Sequence, residues 1–276
     1  MTFHLAAYDS TSSGSETILT PVTDMVLPTS SNGFLLPRPM MIIAAFATTA
    51  SGDAAISRAL ISAPSLARVG NPYIRPIAHG ETTDPNVMNL ISNPLKLPAS
   101  ENVSVGVVLA SGVHVNALLW FCEQIVPVPP GEKFTMRFTG AATSAPASAS
   151  WVPVGTINFD GSLPPGEYTV VGFEHWSPNS VAARLIFPGS TMRPGTLSVN
   201  GNTFSPARRT DRIFYEGGIG VYGSFNAFAP PMLEVLTNGA DSAHEGYLTL
   251  IRTGDMAGQS SYPGSGASAG ARTPLR

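Results

Sequence analysis

Lysine is nearly missing from this chain of 276 residues: Lys96 and Lys133 are the only two. Charged residues of all kinds make up 12%, about half the usual share of a soluble globular protein. With a formal net charge of −3, no basic arm or stripe exists to neutralise phosphates, which argues against direct genome packaging. Aromatic residues stand at 8% and are not interleaved with bases, so a stacking platform for single strands is unsupported. Cysteine occurs once, as Cys122, which excludes an intramolecular disulfide framework and a cysteine-based zinc site. Its place in the apolar run Ala117–Cys122 reads as a buried small hydrophobe. No run reaches the roughly 18 apolar residues of a membrane-spanning helix. Met1-Thr2-Phe3-His4 lacks the basic start and apolar centre of a signal peptide, so synthesis and assembly in a host cytosol are expected.

What the chain does have is apolar residues, at 43%, and 27 glycines and 25 prolines spread along its length. Short apolar segments alternate with turn residues, the pattern of many short strands. Expected strands include Met25–Leu27, Met40–Phe46, Ala59–Ile61, Val103–Leu109, Ala117–Ile125, Lys133–Phe138, Tyr168–Phe173, Ile213–Tyr215, Met232–Leu236 and Tyr247–Ile251. Asp84-Pro85 introduces Asn86–Ile91 as a short helix or a loop. So few charges leave much neutral surface, which points to self-association.

The sequence also repeats itself. Ile42–Phe46 matches Val170–Phe173, Arg58–Ile61 matches Ala183–Ile186, and Arg68-Val69-Gly70 matches Arg193-Pro194-Gly195. Pro94–Leu97 aligns with Pro231–Val235, and His114–Leu119 with His244–Thr249, all in the same order. This alignment places Phe46 on Phe173, Leu60 on Leu185 and Leu118 on Leu248. The fold class expected is all-β: two tandem eight-stranded jelly-roll β-sandwiches related by internal duplication. The expected boundaries are an N-terminal arm over 1–16, a first roll over 17–126, and a connecting strand and linker over 127–150. A second roll then covers 151–254, followed by a flexible tail over 255–276. That tail, with Tyr262 and Leu275 as its large anchors and Arg272 and Arg276 near its end, is expected to order only against a neighbour.

Tandem sandwiches, a charge-poor surface and the turns Pro129-Pro130-Gly131-Glu132 and Pro164-Pro165-Gly166-Glu167 together resemble the double jelly-roll major capsid proteins of tailless icosahedral viruses. In size the chain is most similar to the coat proteins of corticoviruses and finnlakeviruses, within the adenovirus-hexon lineage. The resemblance implies a bacteriophage virion protein whose homotrimers form pseudo-hexameric capsomers of an icosahedral shell. It further implies neighbouring capsomers and minor vertex proteins as partners and, in many members, a membrane beneath the shell. The short loops leave little material for tall outer towers. The alternative readings are a β-sandwich binding module, lectin-like or a receptor-binding spike, and a hydrolase on a jelly-roll scaffold.

No catalytic, cofactor-binding or metal residues are assigned. Gly266-Ala267-Ser268-Ala269-Gly270 fits the nucleophile-elbow pattern but lies in a small-residue tail without the strand and helix such a turn needs. His4, His79, His114, His175 and His244 are scattered, with no pair at ligand spacing. His114 and His244 share a repeat position, which suggests a structural role at a strand start. Glu123, Glu167, Glu174 and Glu234 are the candidates for a glycosidase pair, each read as a solvated charge at a strand end. Arg208-Arg209-Thr210-Asp211-Arg212 suits phosphate or lipid head groups, or acids on a neighbouring subunit, and Asp211 within it favours the second use. Asn102-Val103-Ser104 fits a glycosylation acceptor without a secretion signal to accompany it.

Overall fold

The computed structural model describes residues 3–49, 58–68, 70–74, 77–78, 87–199, 220–237 and 239–254. Among these the chain is all-β apart from a 3₁₀ turn at Pro64–Arg68. The first half contributes β1 (His4–Thr11), β2 (Glu16–Ile18), β3 (Thr20–Pro21), β4 (Thr29–Ser30), β5 (Gly33–Leu35), β6 (Met40–Thr49) and β7 (Arg58–Ser62). It continues with β8 (Tyr73–Ile74), β9 (Ile77–Ala78), β10 (Met88–Asn89), β11 (Leu95–Leu97), β12 (Asn102–Val108) and β13 (His114–Cys122). The second half contributes β14 (Lys133–Gly140), β15 (Ser150–Thr156), β16 (Asn158–Phe159), β17 (Glu167–Trp176) and β18 (Ser180–Ile186). It closes with β19 (Gly195–Val199), β20 (Gly223–Asn226), β21 (Met232–Thr237) and β22 (His244–Gly254).

Pairing in the first half runs β1, β13, β6, then β10 and β11 in one sheet, and β2, β12, β7, β8 in the other. The second half gives β14, β22, β17, β20 and β15, β21, β18, β19, the two runs joined into one nine-stranded sheet by β19, which pairs with β17 as well as with β18. In each half, therefore, the first principal strand lies beside the last and the second beside the last but one, which is the jelly-roll order. The repeat seen in the sequence is a repeat of this order.

The boundaries differ from those expected. Residues 1–16, expected as an arm, contain β1, which sits between β13 and β3 with His4 to Tyr8 buried. Its small apolar residues are hidden among Ser and Thr, so no long apolar run announced it. The second roll likewise starts before residue 151, because β14 is its first strand and pairs with β22 over its whole length. Met25–Leu27 is a bend, held by Asp24, whose Oδ1 accepts from the backbone N–H of Val26 at 2.7 Å and of Leu27 at 3.2 Å. Met88–Asn89 is a strand against Ala44 and Ala45, where a helix or loop was expected. Ile213–Tyr215 and the tail over 255–276 lie outside the described residues.

Register also corrects the repeat alignment. Phe46 does face Leu118 across the β6–β13 pair, and Phe173 faces Leu248 across β17–β22. Yet Ala117 and Leu119 belong to the first roll's interior, so Leu118 points out of that sandwich, whereas Leu248 points into its own. Leu60 likewise lies on the half-exposed face of β7 while Leu185 is buried. A shift of one residue reverses the face of every side chain, so these matches are one position out. The match of Pro94–Leu97 to Pro231–Val235 joins strands of different rank: β11 pairs with β6, while β21 is the counterpart of β12.

The outward face of the first roll's β1–β13–β6 sheet carries Phe3, Leu5, Ala7, Phe46, Leu118 and Trp120, in one continuous core with the second roll. Phe3 meets Tyr222 edge-on at 4.9 Å between ring centres, and the Trp120 indole N–H donates to the carbonyl of Gly195 at 2.9 Å. Gly195 lies where the two rolls approach closely. A Cβ there would stand 2.5 Å from the Ala183 carbonyl oxygen and 2.6 Å from Leu5 Cδ2. Gly195→Ala is therefore expected to destabilise the chain by about 1–3 kcal/mol through overpacking. Urea unfolding would read this, and an unchanged midpoint would count against so tight a junction.

Candidate functional site at the junction of the two rolls

The junction holds a cluster of charges in an otherwise apolar interface. Arg184 lies mid-strand in β18, 1% exposed, flanked by Ala182, Ala183 and Leu185. Its Nε donates to Glu234 Oε2 on β21 at 2.6 Å, and its Nη1 donates to the Leu5 carbonyl at 3.1 Å and to Asp24 Oδ2 at 2.5 Å. The guanidinium carbon sits 3.8 Å above the Trp151 ring, a cation–π contact from β15. Arg193 grips both oxygens of Glu234 through Nη1 at 2.8 and 2.9 Å. Asp24 and Leu5 belong to the first roll and the other residues to the second, so the ion pairs cross the junction.

His4 completes the cluster. Its Nδ1 accepts from the Arg193 backbone N–H at 3.2 Å, which leaves Nε2 to carry the proton and donate to Asp24 Oδ2 at 3.1 Å. Burial lowers the His4 imidazole below its ordinary 6.5, so the ring is neutral at neutral pH. Burial alone would raise Asp24, but its bonds to His4 and Arg184 outweigh that and hold the carboxyl well below its ordinary value. With His4 neutral, the permanent cation beside Asp24 is Arg184. Two carboxylates and two guanidiniums then balance, as buried charges require.

A second buried group lies within the second roll. His175 and His244 stack at 5.4 Å between ring centres, with Nε2 of the first 3.3 Å from Nδ1 of the second. Ser198 Oγ lies 2.8 Å from His175 Nδ1, and Thr143 Oγ1 lies 3.1 Å from His244 Nε2. Burial, then the neighbouring His244, drives His175 well below its ordinary value; burial also lowers His244, against the opposing charge of Asp241. The Asp241 carboxylate is itself taken up by the Asn179 backbone N–H at 2.8 Å and the Ser180 hydroxyl at 2.7 Å. The chemistry on offer is structural, a neutral hydrogen-bonded chain rather than a nucleophile opening to solvent.

The other candidates fall apart in space. His114 lies beside Asp9 at 2.6 Å and His79 is outside the described residues. The shared position of His114 and His244 is a shared place in the strand pairing, opposite the end of each roll's first strand, but their rings leave opposite faces. Glu123 pairs with exposed Arg38 at 2.7 Å, and Glu167 accepts from Asn226 at 2.8 Å. Glu174 is buried on the same strand as Glu167, roughly 20 Å along it. Glu234 is mid-strand and spent on two arginines, so no pair of acids faces a common space. Cys122 is buried, and burial, then Glu123 beside it, pushes its thiol up to about 12. Asn102 accepts from the Ser30 hydroxyl at 2.6 Å. Arg208–Arg212 and Gly266–Gly270 lie outside the described residues. Sequence reading missed Asp24, Arg184 and Arg193 as a group; the available signal was a lone Arg in Ser180–Ile186 and a lone Glu in Met232–Thr237, each inside an apolar strand.

Two rolls of one strand order, locked through buried ion pairs, define this as a tandem jelly-roll chain. No family model matches the sequence, and no curated protein matches it. Among solved structures the chain is similar to the major capsid protein P2 from bacteriophage PM2, at 9% identity and a TM-score of 0.22, over 90% of this chain and 98% of that one.

Proposed function

We propose that this chain is a structural virion protein, the major capsid protein of an icosahedral shell, assembling as homotrimers whose six jelly rolls form a pseudo-hexameric block. The observation that carries this reading is the packing of two rolls of one strand order into one continuous core. Three such chains about a threefold axis present six similar sandwiches, an outline that tiles a curved surface. The charge-poor composition supports it, as do exposed apolar side chains such as Met25, Phe228 and Tyr73, at 84%, 71% and 61% exposure, which suit contacts with further copies. The protein works in this reading as wall rather than catalyst, within the virion, with neighbouring capsomers and vertex proteins as its partners.

Light scattering on the purified chain is expected to give three times the 28.8 kDa chain mass, and negative-stain microscopy shells or hexagonal sheets. A stable monomer at micromolar concentration would overturn the proposal. A discrete oligomer that never forms shells would favour a β-sandwich binding module instead.

A further inference from the structure

The contact between the two rolls is heterologous, since unlike faces meet. The first roll offers the outward side of β1–β13–β6, through Leu5, Leu118 and Trp120. The second roll receives it on the outward side of β15–β21–β18–β19, where Trp151, Leu236, Ala182 and Leu197 are cross-strand partners along one rung and Glu234, Arg184 and Gly195 along the next. Arg184 reaches the Leu5 carbonyl from that side, and Gly195 lies under the Leu5 side chain. Such a contact spends one face of each roll and leaves the opposite kind on both. The face left on the first roll is the outward side of β2–β12–β7–β8, the counterpart of the sheet that receives it. One rung there runs Ile18, Gly106, Leu60 and Tyr73. Alternation turns these four outward, because their neighbours Val105, Val107, Ala59, Ile61 and Ile74 fill the roll's interior. Ile18 and Tyr73 are 45% and 61% exposed and Leu60 is half-buried, and among the described residues none of the three belongs to a buried apolar cluster. On the second roll the corresponding rung is covered, with Leu236 and Ala182 fully buried.

We propose that the rung of Ile18, Leu60 and Tyr73 is the docking surface for a second copy of this chain, which meets it with the outward side of its own β14–β22–β17 sheet. That sheet is the second roll's counterpart of β1–β13–β6, so the contact made inside the chain is made again between chains. It turns Thr135, Thr249 and Tyr247 outward, with Thr135 exposed. Arg137, paired with Tyr247 across the strands, is already held by Asp160 and Glu245 at 2.8 and 2.7 Å, so it brings no unpaired charge onto the apolar rung. Beside that rung lies Glu16–Val108–Arg58, closed by a 2.7 Å ion pair, a polar margin of the kind that borders an apolar interface. A heterologous contact repeated by rotation closes into a ring, and contacts alternating within and between chains close six rolls with three chains. This docking rests on the homotrimer proposed for the shell and assigns the two sheets that meet in it.

The test uses Tyr73→Arg and Ile18→Arg, each in the full chain, with light scattering at micromolar concentration. The wild type is expected at three chain masses and each variant at one, with the urea midpoint of the monomer unmoved because both side chains are exposed. Linking then reads which sheets meet. Tyr73→Cys and Thr135→Cys, treated with a flexible bismaleimide, are expected to join chains when the two cysteines are combined in one chain or mixed as two variants, and not when either is alone; buried Cys122 leaves the wild type unlinked. If an arginine variant fails to fold, the linking result decides alone. Arginine variants that stay trimeric, or a trimeric double-cysteine chain that stays unlinked, would overturn this face and leave the trimer standing. Linking by Tyr73→Cys alone would show like faces meeting and overturn the heterologous contact. A monomeric wild type would overturn the trimer and this docking together.

Discussion

Replacing Arg184 by alanine is expected to cost about 3–5 kcal/mol, a large part of the stability of a typical domain. The loss comes less from the missing attraction than from what is left behind. Asp24 and Glu234 are 0% and 7% exposed in their side chains, and without Arg184 each loses a charged donor while water stays excluded. Arg193 still holds Glu234, but Asp24 would keep only neutral His4 and two backbone N–H groups. Trp151 would lose the cation above its ring, and the Leu5 carbonyl its side-chain donor. Because these partners lie on both rolls, the damage should appear at the junction first. Urea unfolding followed by the fluorescence of the three tryptophans, of which Trp120 and Trp151 lie at the junction, is expected to show a lower midpoint, with a separate early phase as the rolls part. Asp24→Asn in the Arg184→Ala background should recover part of the loss, since it removes the stranded charge, and a cycle of the two should give a coupling of about 0.5–3 kcal/mol. A single change below about 1 kcal/mol would mean that the cluster is solvated and that the rolls are held by apolar packing alone.

The sequence carried the all-β class and the general jelly-roll architecture, because turn residues punctuate it at strand-length intervals and apolar residues fill the intervals. What it hid was parity. In a sheet with one wet face, alternation tells which residues point inward. The run Ala117–Cys122 is buried on both faces, one against the first roll's interior and one against the second roll, so it reads as unbroken hydrophobicity. Nothing in it distinguishes Leu118 from Leu119, and the alignment to β22, whose outward Tyr247 and Thr249 are only half-buried, slipped by one. The same two-sided burial concealed β1, whose Leu5, Ala6 and Ala7 serve two cores while its neighbours are Ser and Thr. The junction cluster was harder still, because its members are separated by 160 residues at the Asp24–Arg184 contact, and only the packing of one roll on the other unites them. The internal clue was chemical: a charge placed mid-strand among apolar neighbours must find an opposite charge, and Arg184 and Glu234 were each such a charge.

Mild acid is expected to unfold this protein long before its carboxylates titrate. His4, His175 and His244 are buried and all lie below the ordinary imidazole value of 6.5, chiefly because burial penalises the charged ring. In the unfolded chain each takes up a proton near 6.5, so below that pH the unfolded state binds more protons than the folded one. Stability must then fall as pH falls, by about 1.4 kcal/mol per unit for each such histidine, and about 4 kcal/mol per unit while all three stay neutral. The decline ends for each ring only when the pH reaches its folded value. Two other groups do not cancel the trend. His114 is raised, first by its contact with Asp9, so what it contributes is already complete below 6.5 and is lost only as pH rises through its folded value. Asp24 is lowered, so its contribution is lost only as pH falls past the ordinary carboxyl value of 3.8. Urea midpoints measured in EDTA between about pH 7.5 and pH 5 should therefore drop steeply below 6.5. His244→Gln, which cannot take up a proton, should be less stable at neutral pH yet show a shallower slope, by about one proton. A midpoint flat across that range would mean that the three rings are reached by water, and that neither the junction nor the stacked pair is as dry as its geometry requires.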